Sequence, residues 1–276
     1  MVDFQLKDRY SMDDLLEIMR LLRSPEGCPW DREQDHKSIR SNFLEETHEA
    51  LEAIEREDPE LLKEELGDVL MQVVFHAGIE EEQNSFDFCD VVDGVCRKLV
   101  VRHPHVFASA QADDAEQVLK NWDAIKRETK GDASQTDLLR SLPRSLPALM
   151  RAAKVQTRAK RVGFDWPNVD GAMQALESET AELREAMAGG DADAVEEELG
   201  DLLFSVVNVS RFLHTDAEQA LTGATDKFIR RFAVVERLAG EQGLDMTSAS
   251  AEQLDKLWNQ AKQEERQPQT GTEPTT

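Results

Sequence analysis

Two copies of one carboxylate pattern constrain this chain more than any other feature of its sequence. Glu46 and Glu49 lie three residues apart, and Glu65 and Asp68 repeat that spacing 19 residues later. All four acids recur 133 positions further on, as Glu179, Glu182, Glu198 and Asp201. Acids at one fixed spacing, present twice in 276 residues, predict an internal repeat with a shared structural purpose.

The acids of the first copy lie on two predicted helices. Apolar residues at helical spacing predict helices over residues 38–56 and 60–82, and Pro59 suits the first turn of the second. A break this short predicts an antiparallel helix hairpin. Because residues three apart share one helix face, the hairpin brings both acid pairs together. The second copy repeats this plan over residues 169–188 and 191–213.

Both acid clusters are predicted to be divalent metal sites. Carboxylates held close together repel one another, and burial strengthens the repulsion. A hard cation relieves it, and all-oxygen ligands favour Mg²⁺, with Mn²⁺ as the alternative, over zinc or copper. The other interpretation is a pair of solvated acidic helix faces, but the repeated spacing argues against it. The predicted ligands are Glu46, Glu49, Glu65, Asp68, Glu179, Glu182, Glu198 and Asp201.

A glycine separates the Glu and the Asp on the second helix of each copy. Gly67 and Gly200 both lie inside predicted helices, where glycine costs roughly 1 kcal/mol relative to alanine. We therefore expect another helix or a ligand to approach these positions closely.

Basic and aromatic residues spaced four apart also recur. The pairs are Lys98 and Arg102, Lys227 and Arg231, Trp122 and Lys126, and Trp258 and Lys262. Two cations on one face can bind phosphate oxygens, and a tryptophan beside a lysine can stack on a base. The ordinary alternative is that the cations pair with the many acids and the tryptophans pack in the core. The pattern leaves both interpretations open.

Composition narrows the choice of partners and compartment. The chain carries 56 acidic against 32 basic residues, so its surface repels nucleic acid and no polynucleotide partner is expected. Three cysteines give no even disulfide framework, which favours a reducing compartment. The charged N-terminus lacks the apolar core of a signal peptide, and no apolar run is long enough to span a membrane. The expected location is therefore cytoplasmic.

The repeat predicts two tandem all-α domains. We assign them to residues 1–132 and 133–266, with the boundary in a polar segment, and we expect residues 267–276 to be a disordered tail. No convincing strand pattern interrupts the helical periodicity. The remaining predicted helices cover residues 12–22, 87–102, 113–129, 149–161, 216–239 and 251–265.

Seven short motifs match the pattern of one known family. They read GCPWD (27–31), EETHE (45–49), ELGD (65–68), RHPHVF (102–107), SLPAL (145–149), GFDW (163–166) and ELGD (198–201). Together they resemble the two-domain form of the MazG family of nucleoside triphosphate pyrophosphohydrolases, over about residues 12–265.

The resemblance implies a fold, an activity and a set of site residues. It implies a homodimer whose helices form four-helix-bundle cores, and a Mg²⁺-dependent hydrolase that converts a nucleoside triphosphate to the monophosphate and pyrophosphate. Catalysis in such proteins is attributed mainly to the second domain. The matching catalytic and metal-binding acids there are Glu179, Glu182, Glu198 and Asp201, and the matching nucleotide contacts are Lys227, Arg231, Trp258 and Lys262. The repeat extends the predicted nucleotide contacts to Lys98, Arg102, Trp122 and Lys126.

One position departs from the family pattern. The first acid of the Glu-Glu-x-x-Glu motif is Glu45 in the first copy, but Ser178 occupies its place in the second. If this acid positions water or a second metal ion, Glu45 is a further catalytic residue and the first copy does more of the chemistry. The sequence leaves open which domain is active, and no motif indicates a base or sugar preference.

The expected reaction is attack of water at the α-phosphorus, with pyrophosphate as the leaving group. One rival is a di-iron carboxylate bundle, because Glu45 and His48 form one Glu-x-x-His pair. The second copy has no such histidine, which weighs against this rival. Another rival is a non-catalytic regulatory or interaction protein that uses a degenerate copy as a helical dimer scaffold.

Overall fold

The computed structural model describes residues 4–108 and 134–266, and within these ranges every regular element is a helix. The predicted all-α fold is therefore confirmed. The chain divides into two compact units, Met1–Gly131 and Asp132–Thr276, which are called unit 1 and unit 2 below. Four predictions lie outside the described residues: Trp122, Lys126, the helix over 113–129 and the tail over 267–276.

Unit 1 is organised around a helix hairpin that carries the first acid cluster. The described helices are α1 (Met12–Arg23), α2 (Pro29–Glu33), α3 (Arg40–Glu55), α4 (Pro59–Glu82), α5 (Phe88–Arg102) and α6 (Pro104–Phe107). The turn between α3 and α4 is short, and the Asp58 side chain caps α4 by accepting the backbone N–H groups of Glu60 and Leu61. A turn this short forces α3 and α4 to pack as an antiparallel pair.

The core of unit 1 joins α1 and α4 to the loop before α3. Met19, Ile39, Val74, Phe75 and Ile79 form one buried cluster. Ile39 is the residue just before α3, so its burial anchors the start of the helix that carries Glu46 and Glu49.

Unit 2 repeats the hairpin with different surroundings. Its described helices are α7 (Gln135–Arg140), α8 (Ala148–Lys160), α9 (Val169–Gly189), α10 (Ala192–Phe212), α11 (Ala217–Glu241) and α12 (Ala251–Arg266). Gly190 ends α9 at a φ of +72°, a conformation that glycine adopts without strain, and Asp191 then caps α10. A buried cluster of Val235, Ala239, Leu257 and Ala261 joins α11 to α12.

Three short helices, α2, α6 and α7, lie outside the predicted helices, and two of them have a local cause that is visible in the sequence. The first, α2, begins at Pro29, which favours the first helical turn, and lies between the predicted helices over residues 12–22 and 38–56. The second, α7, lies in the polar segment assigned to the domain boundary, and a capping box between Ser134 and Asp137 stabilises it. Neither helix carries an apolar repeat long enough for periodicity to detect.

Both units expose apolar helix faces. The large apolar residues exposed on α5 are Val91, Val92, Val95, Leu99, Val100 and Val101, and those on α11 are Leu221, Phe228, Ile229 and Phe232.

Among the helices in the described ranges, none combines the length and apolar character needed to cross a membrane.

Candidate active site

The hairpin of unit 1 brings three glutamates together. One carboxylate oxygen each from Glu46, Glu49 and Glu65 can be chosen so that all three lie within 4.8 Å of one another. The helix α3 supplies the first two, one turn apart, and α4 supplies the third from the facing side. This spacing allows one cation to contact all three side chains.

Burial and mutual repulsion make this cluster electrostatically unfavourable without a cation. Glu65 is only 9% exposed, and Glu46 is half-buried. Burial raises the pKa of both carboxyls, and the negative charges of Glu49 and Asp68 raise them further. Asp68 lies outside the group within 4.8 Å, but its charge acts on both glutamates.

The same arrangement recurs in unit 2. Oxygens of Glu179, Glu182 and Glu198 lie within 4.8 Å of one another, with α9 supplying two residues and α10 the third. Burial again raises the pKa of Glu179 and Glu198, followed by the charges of Glu182 and Asp201. Asp201 stands outside the group of three, as Asp68 does in unit 1.

Comparison with known proteins finds the same domain once in each unit. The family model of the MazG nucleotide pyrophosphohydrolase domain matches residues 34–107 and 168–236, so each hairpin falls inside one match. The nucleoside triphosphate pyrophosphohydrolase of Escherichia coli (strain K12) is 47% identical over 259 residues, which cover 92% of this chain and 98% of that protein. The nucleoside triphosphate pyrophosphohydrolase/pyrophosphatase MazG of Thermotoga maritima is 44% identical over 250 residues, covering 91% and 95% respectively.

This chain belongs to the MazG nucleotide pyrophosphohydrolase family. The predicted family, hydrolase class and tandem all-α organisation are therefore confirmed. A third relative is an uncharacterized protein, YabN of Bacillus subtilis, which is 45% identical over 250 residues. Those residues make up 90% of this chain but 51% of YabN, so the similarity covers about half of that longer protein.

The first acid of the MazG motif differs between the units in structure as well as in sequence. Glu45 is exposed, and its charge adds to the raised pKa of Glu46. Ser178, at the corresponding position of α9, instead donates its hydroxyl hydrogen bond to Glu182 Oε1 over 2.8 Å. The second cluster therefore exchanges a repelling carboxylate for a hydrogen-bond donor.

The predicted nucleotide contacts of unit 2 have partners within their own unit. Arg231 donates from Nε to Glu265 Oε2 over 2.7 Å, and its guanidinium lies 6.0 Å from the centre of the Trp258 ring. That ring packs against the buried cluster of α11 and α12 and lies 5.0 Å from Phe228. Lys227 is exposed and Lys262 is half-buried. The ion pair and the packed tryptophan match the ordinary alternative, so the nucleotide role of these residues stays a prediction.

In unit 1, Lys98 is exposed on α5 and Arg102 is half-buried at the end of that helix. The causes that raise the pKa of the clustered glutamates are burial and neighbouring carboxylates, with no lysine or arginine among them in the described part of either unit. Within each unit the structure therefore brings the acids together, and a link from the predicted cations to these acids stays a prediction.

The expected close approach of another helix to the two helix glycines is wrong within the described part of each unit, and the approach of a ligand stays a prediction. A Cβ atom added to Gly67 or Gly200 would meet no other described atom within 4 Å. The neighbouring helix therefore does not require glycine at these positions, and the open space lies next to Asp68 and Asp201 along the helix.

Periodicity did not reveal the contacts that hold the loops before the acid helices. In unit 2, Asp165 accepts hydrogen bonds from Arg211 on α10, one of them 3.0 Å long. In unit 1, buried Arg23 donates to the carbonyl of Asp31 over 2.5 Å and pairs with Glu82 on α4. The sequence does indicate that the two loops differ in length. The loop motifs repeat at an offset of 136 and the acids at an offset of 133, so the loop of unit 1 contains three extra residues.

Proposed function

We propose that this chain hydrolyses nucleoside triphosphates to the monophosphate and pyrophosphate with Mg²⁺ as the cofactor and Mn²⁺ as a substitute. The observation that carries the proposal is the group of three glutamates within 4.8 Å of one another in each hairpin. The names of the Escherichia coli and Thermotoga maritima relatives support the substrate class and the reaction.

The residues present fit a hard divalent cation. Both groups offer carboxylate oxygens alone, which are the ligands that Mg²⁺ prefers. The raised pKa values of Glu46, Glu65, Glu179 and Glu198 indicate negative charge that nearby protein groups do not neutralise. Bound there, Mg²⁺ would neutralise triphosphate charge and polarise the α-phosphorus. The proposed ligands are the three glutamates of each cluster, completed by Asp68 in unit 1 and Asp201 in unit 2.

The chain's own side chains would then position water and substrate. A carboxylate accepts a hydrogen bond from water and directs its oxygen at the α-phosphorus, while the bond between the α- and β-phosphates breaks. Glu45 is suited to this role in unit 1, since it stands beside the cluster and is exposed. The proposed phosphate contacts are Lys98, Arg102, Lys227, Arg231 and Lys262, and Trp258 is the proposed base contact; Trp122 and Lys126 complete the predicted set.

A homodimer is part of the proposal. The exposed valine and leucine side chains of α5, and the exposed phenylalanines of α11, form apolar faces that the described residues of their own unit leave uncovered. Packed helices bury such exposed faces when the helices of a second subunit complete a four-helix bundle. We keep the predicted domains at residues 1–132 and 133–266. We also retain the cytoplasmic location, with which the free cysteines Cys28, Cys89 and Cys96 are consistent.

The experiment removes one cluster at a time from the full chain. The unit 1 variant is Glu65→Gln with Asp68→Asn, and the unit 2 variant is Glu198→Gln with Asp201→Asn. Release of pyrophosphate from the eight common nucleoside triphosphates is measured with Mg²⁺. We expect at least one variant to lose about 100-fold or more of the activity, as for removal of groups that act directly in the reaction.

The matched controls are Glu64→Gln and Glu197→Gln, which remove one charge from the exposed residue next to each cluster. These controls should retain activity, because their carboxylates lie outside the groups of three. Full activity in both double variants would contradict the metal sites. Activity confined to one unit would identify the other as a structural copy, a possibility that the replacement by Ser178 favours for unit 2.

A further inference from the structure

A cluster of two histidines and one glutamate lies in unit 1, away from the carboxylate site. His36 Nδ1 is 2.7 Å from His76 Nδ1, and His36 Nε2 is 2.7 Å from Glu80 Oε1. The two rings lie within 11° of one plane with their centres 5.0 Å apart. That separation is the nitrogen–nitrogen distance plus the two ring radii, so the rings lie side by side and share an in-plane hydrogen bond.

The cluster connects three elements of unit 1. His36 lies in the loop before α3, and His76 and Glu80 lie one turn apart on α4. Phe43, in the first turn of α3, packs edge-on against the His76 ring, with 5.7 Å between the ring centres. The start of α3 has no side-chain N-cap, so these contacts and buried Ile39 are what fasten it to α4.

Unit 2 has no counterpart to this cluster in its described residues. His36 falls in the stretch where unit 1 has three extra residues, and the acid offset aligns His76 and Glu80 with Val209 and Leu213. There the corresponding loop is held by the ion pair of Asp165 and Arg211. The histidine cluster is therefore a specific feature of unit 1.

We propose that His36, His76 and Glu80 form a proton-sensitive latch that fastens the start of α3 to α4 at neutral pH and releases it in acid. The inference does not depend on the proposed activity, because it concerns a contact between the loop, α3 and α4. Its consequence for the site is positional, since α3 carries Glu46 and Glu49.

The hydrogen-bond arrangement limits how many protons the pair can hold. When both rings are neutral, His36 donates from Nε2 to Glu80 and accepts at Nδ1 from His76. One added proton keeps the hydrogen bond between the rings, because one of the two facing nitrogens still lacks a hydrogen and can accept. A second proton places an N–H on both facing nitrogens, and the hydrogen bond between the rings is lost.

The surrounding charges decide the direction of the pH effect. Burial lowers the pKa of His76, and the facing His36 lowers it further. The hydrogen bond from His36 lowers the pKa of Glu80, with Ser85 as a second contributor, so Glu80 remains ionised. Asp35 is the other titratable group that interacts with His36, and backbone hydrogen bonds from Ser38 and Lys37 lower its pKa.

The sign follows from the lowered pKa of His76. A base that loses affinity for protons on folding stabilises the folded state above its unfolded pKa, about 6.5 for histidine. That stabilisation is lost as the pH falls through the lower pKa of the folded state. The latch is therefore closed at neutral pH and weakens progressively in acid.

The test measures amide hydrogen exchange of the full chain between about pH 5 and pH 7.5, the range in which histidine titrates. Peptides covering residues 34–43 report on the latch, and peptides covering residues 161–171 serve as an internal control. Protection is normalised to the intrinsic exchange rate at each pH. We expect the 34–43 peptides to lose protection in acid by about fivefold or more, the factor for one hydrogen bond of ordinary net strength. The control peptides should show no comparable loss.

Three variants separate a proton switch from simple packing. His76→Gln cannot titrate, but its amide can both donate and accept, so protection should persist and lose its pH dependence. His36→Phe keeps an aromatic ring but removes both hydrogen bonds. Protection of the 34–43 peptides should therefore be low at about pH 5 as well as at about pH 7.5. His214→Asn changes an exposed histidine of unit 2 at a φ of +54°, which asparagine tolerates, and should behave like the parent protein.

Circular dichroism verifies that each variant retains its helices. An unchanged pH profile in His76→Gln would overturn the proposal, as would equal acid sensitivity of the 34–43 and 161–171 peptides in the parent protein.

Discussion

The two units reach the same carboxylate geometry with different supports. Each hairpin places three glutamates within 4.8 Å of one another, two from its first helix and one from its second. In unit 1 the loop before the first helix is held by buried Arg23 and the histidine latch. In unit 2 it is held by Asp165 and Arg211. The acid spacing on a two-helix hairpin therefore defines the cluster, and the loop contacts can vary around it.

The supports also differ in how they respond to acid. Burial alone would raise the pKa of Asp165, but the hydrogen bond and charge of Arg211 hold it below the ordinary value. A carboxyl with a lowered pKa stabilises the fold above its unfolded pKa of about 3.9, and this stabilisation is lost only as the pH falls further. Between about pH 4 and pH 6, the contact of unit 2 should hold while the latch of unit 1 weakens.

The largest expected effect comes from removing one loop support in each unit. Asp165→Ala leaves the Arg211 guanidinium, whose side chain is 12% exposed, with a hydrogen bond to Asn208 and with the Phe212 ring, whose centre is 4.6 Å away, but with no carboxylate partner among the described residues. We expect about 3 kcal/mol of destabilisation, because a nearly buried charge loses its counter-ion. Arg23→Ala leaves behind Glu82, which is 49% exposed and can be solvated, so about 2 kcal/mol is expected from lost hydrogen bonds and packing.

Urea unfolding followed by hydrogen exchange of each unit measures these two losses separately. Asp165→Asn and Arg23→Lys are the conservative controls, since each keeps part of the hydrogen bonding. A larger loss of unfolding free energy for Arg23→Ala than for Asp165→Ala would contradict the comparison. It would show that the solvent exposure of the charged partner left behind does not determine how much each substitution destabilises the fold.

A smaller effect is expected from exchanging the first acid of the motif between the units. Ser178→Glu adds a carboxylate to the cluster of unit 2 and removes the hydrogen bond to Glu182. The added charge should tighten Mn²⁺ binding by about tenfold, the factor that corresponds to roughly 1.4 kcal/mol. Glu45→Ser should weaken binding in unit 1 by a similar factor, and isothermal titration calorimetry measures both.

Each exchange is made in a chain whose other cluster is inactivated by its Glu-to-Gln and Asp-to-Asn pair, so that one site is observed at a time. Ser178→Gln adds the same length without charge and should leave the affinity of unit 2 near its parent value. Equal affinity of Ser178→Glu and Ser178→Gln would exclude a role for charge at this position.

The parts of the fold that the sequence predicted are those with local causes. Apolar periodicity and capping residues place both hairpins, and the structure begins α4 at Pro59 and α9 at Val169, within one residue of the predicted starts. The meeting of Glu46, Glu49 and Glu65 followed from spacing three apart and a short turn, both of which are readable from sequence.

The parts that the sequence did not predict depend on contacts between distant residues. His36 and His76 are 40 positions apart, and Asp165 and Arg211 are 46 apart, so helical periodicity carries no information about either pair. The prediction that another helix lies close to the glycines was wrong for a related reason. The low helix propensity of Gly67 indicates that something favours the absence of a side chain there. It does not indicate which neighbouring group, if any, occupies the space.

The smallest expected effect concerns the response of the two clusters to pH and cation. The raised pKa values of Glu46, Glu65, Glu179 and Glu198 have burial as their largest cause. An acid whose folded pKa is raised stabilises the fold below its unfolded pKa, and this contribution is lost as the pH rises through the folded value. Without a divalent cation, both clusters therefore oppose folding increasingly as the pH rises.

Mg²⁺ should offset this destabilisation of the folded state, because it binds the ionised form of the carboxylates. We expect Mg²⁺ to raise Tm by roughly 2–4 °C at about pH 7.5 and by less at about pH 5, where protons compete for the same oxygens. Comparing Tm with and without Mg²⁺ at each pH cancels the acid weakening of the histidine latch, since the latch responds to pH in both samples. Glu65→Gln and Glu198→Gln should each reduce the gain at the higher pH. An equal gain at both pH values would mean that Mg²⁺ stabilises the chain elsewhere, and the shared geometry of the two units would then need another explanation.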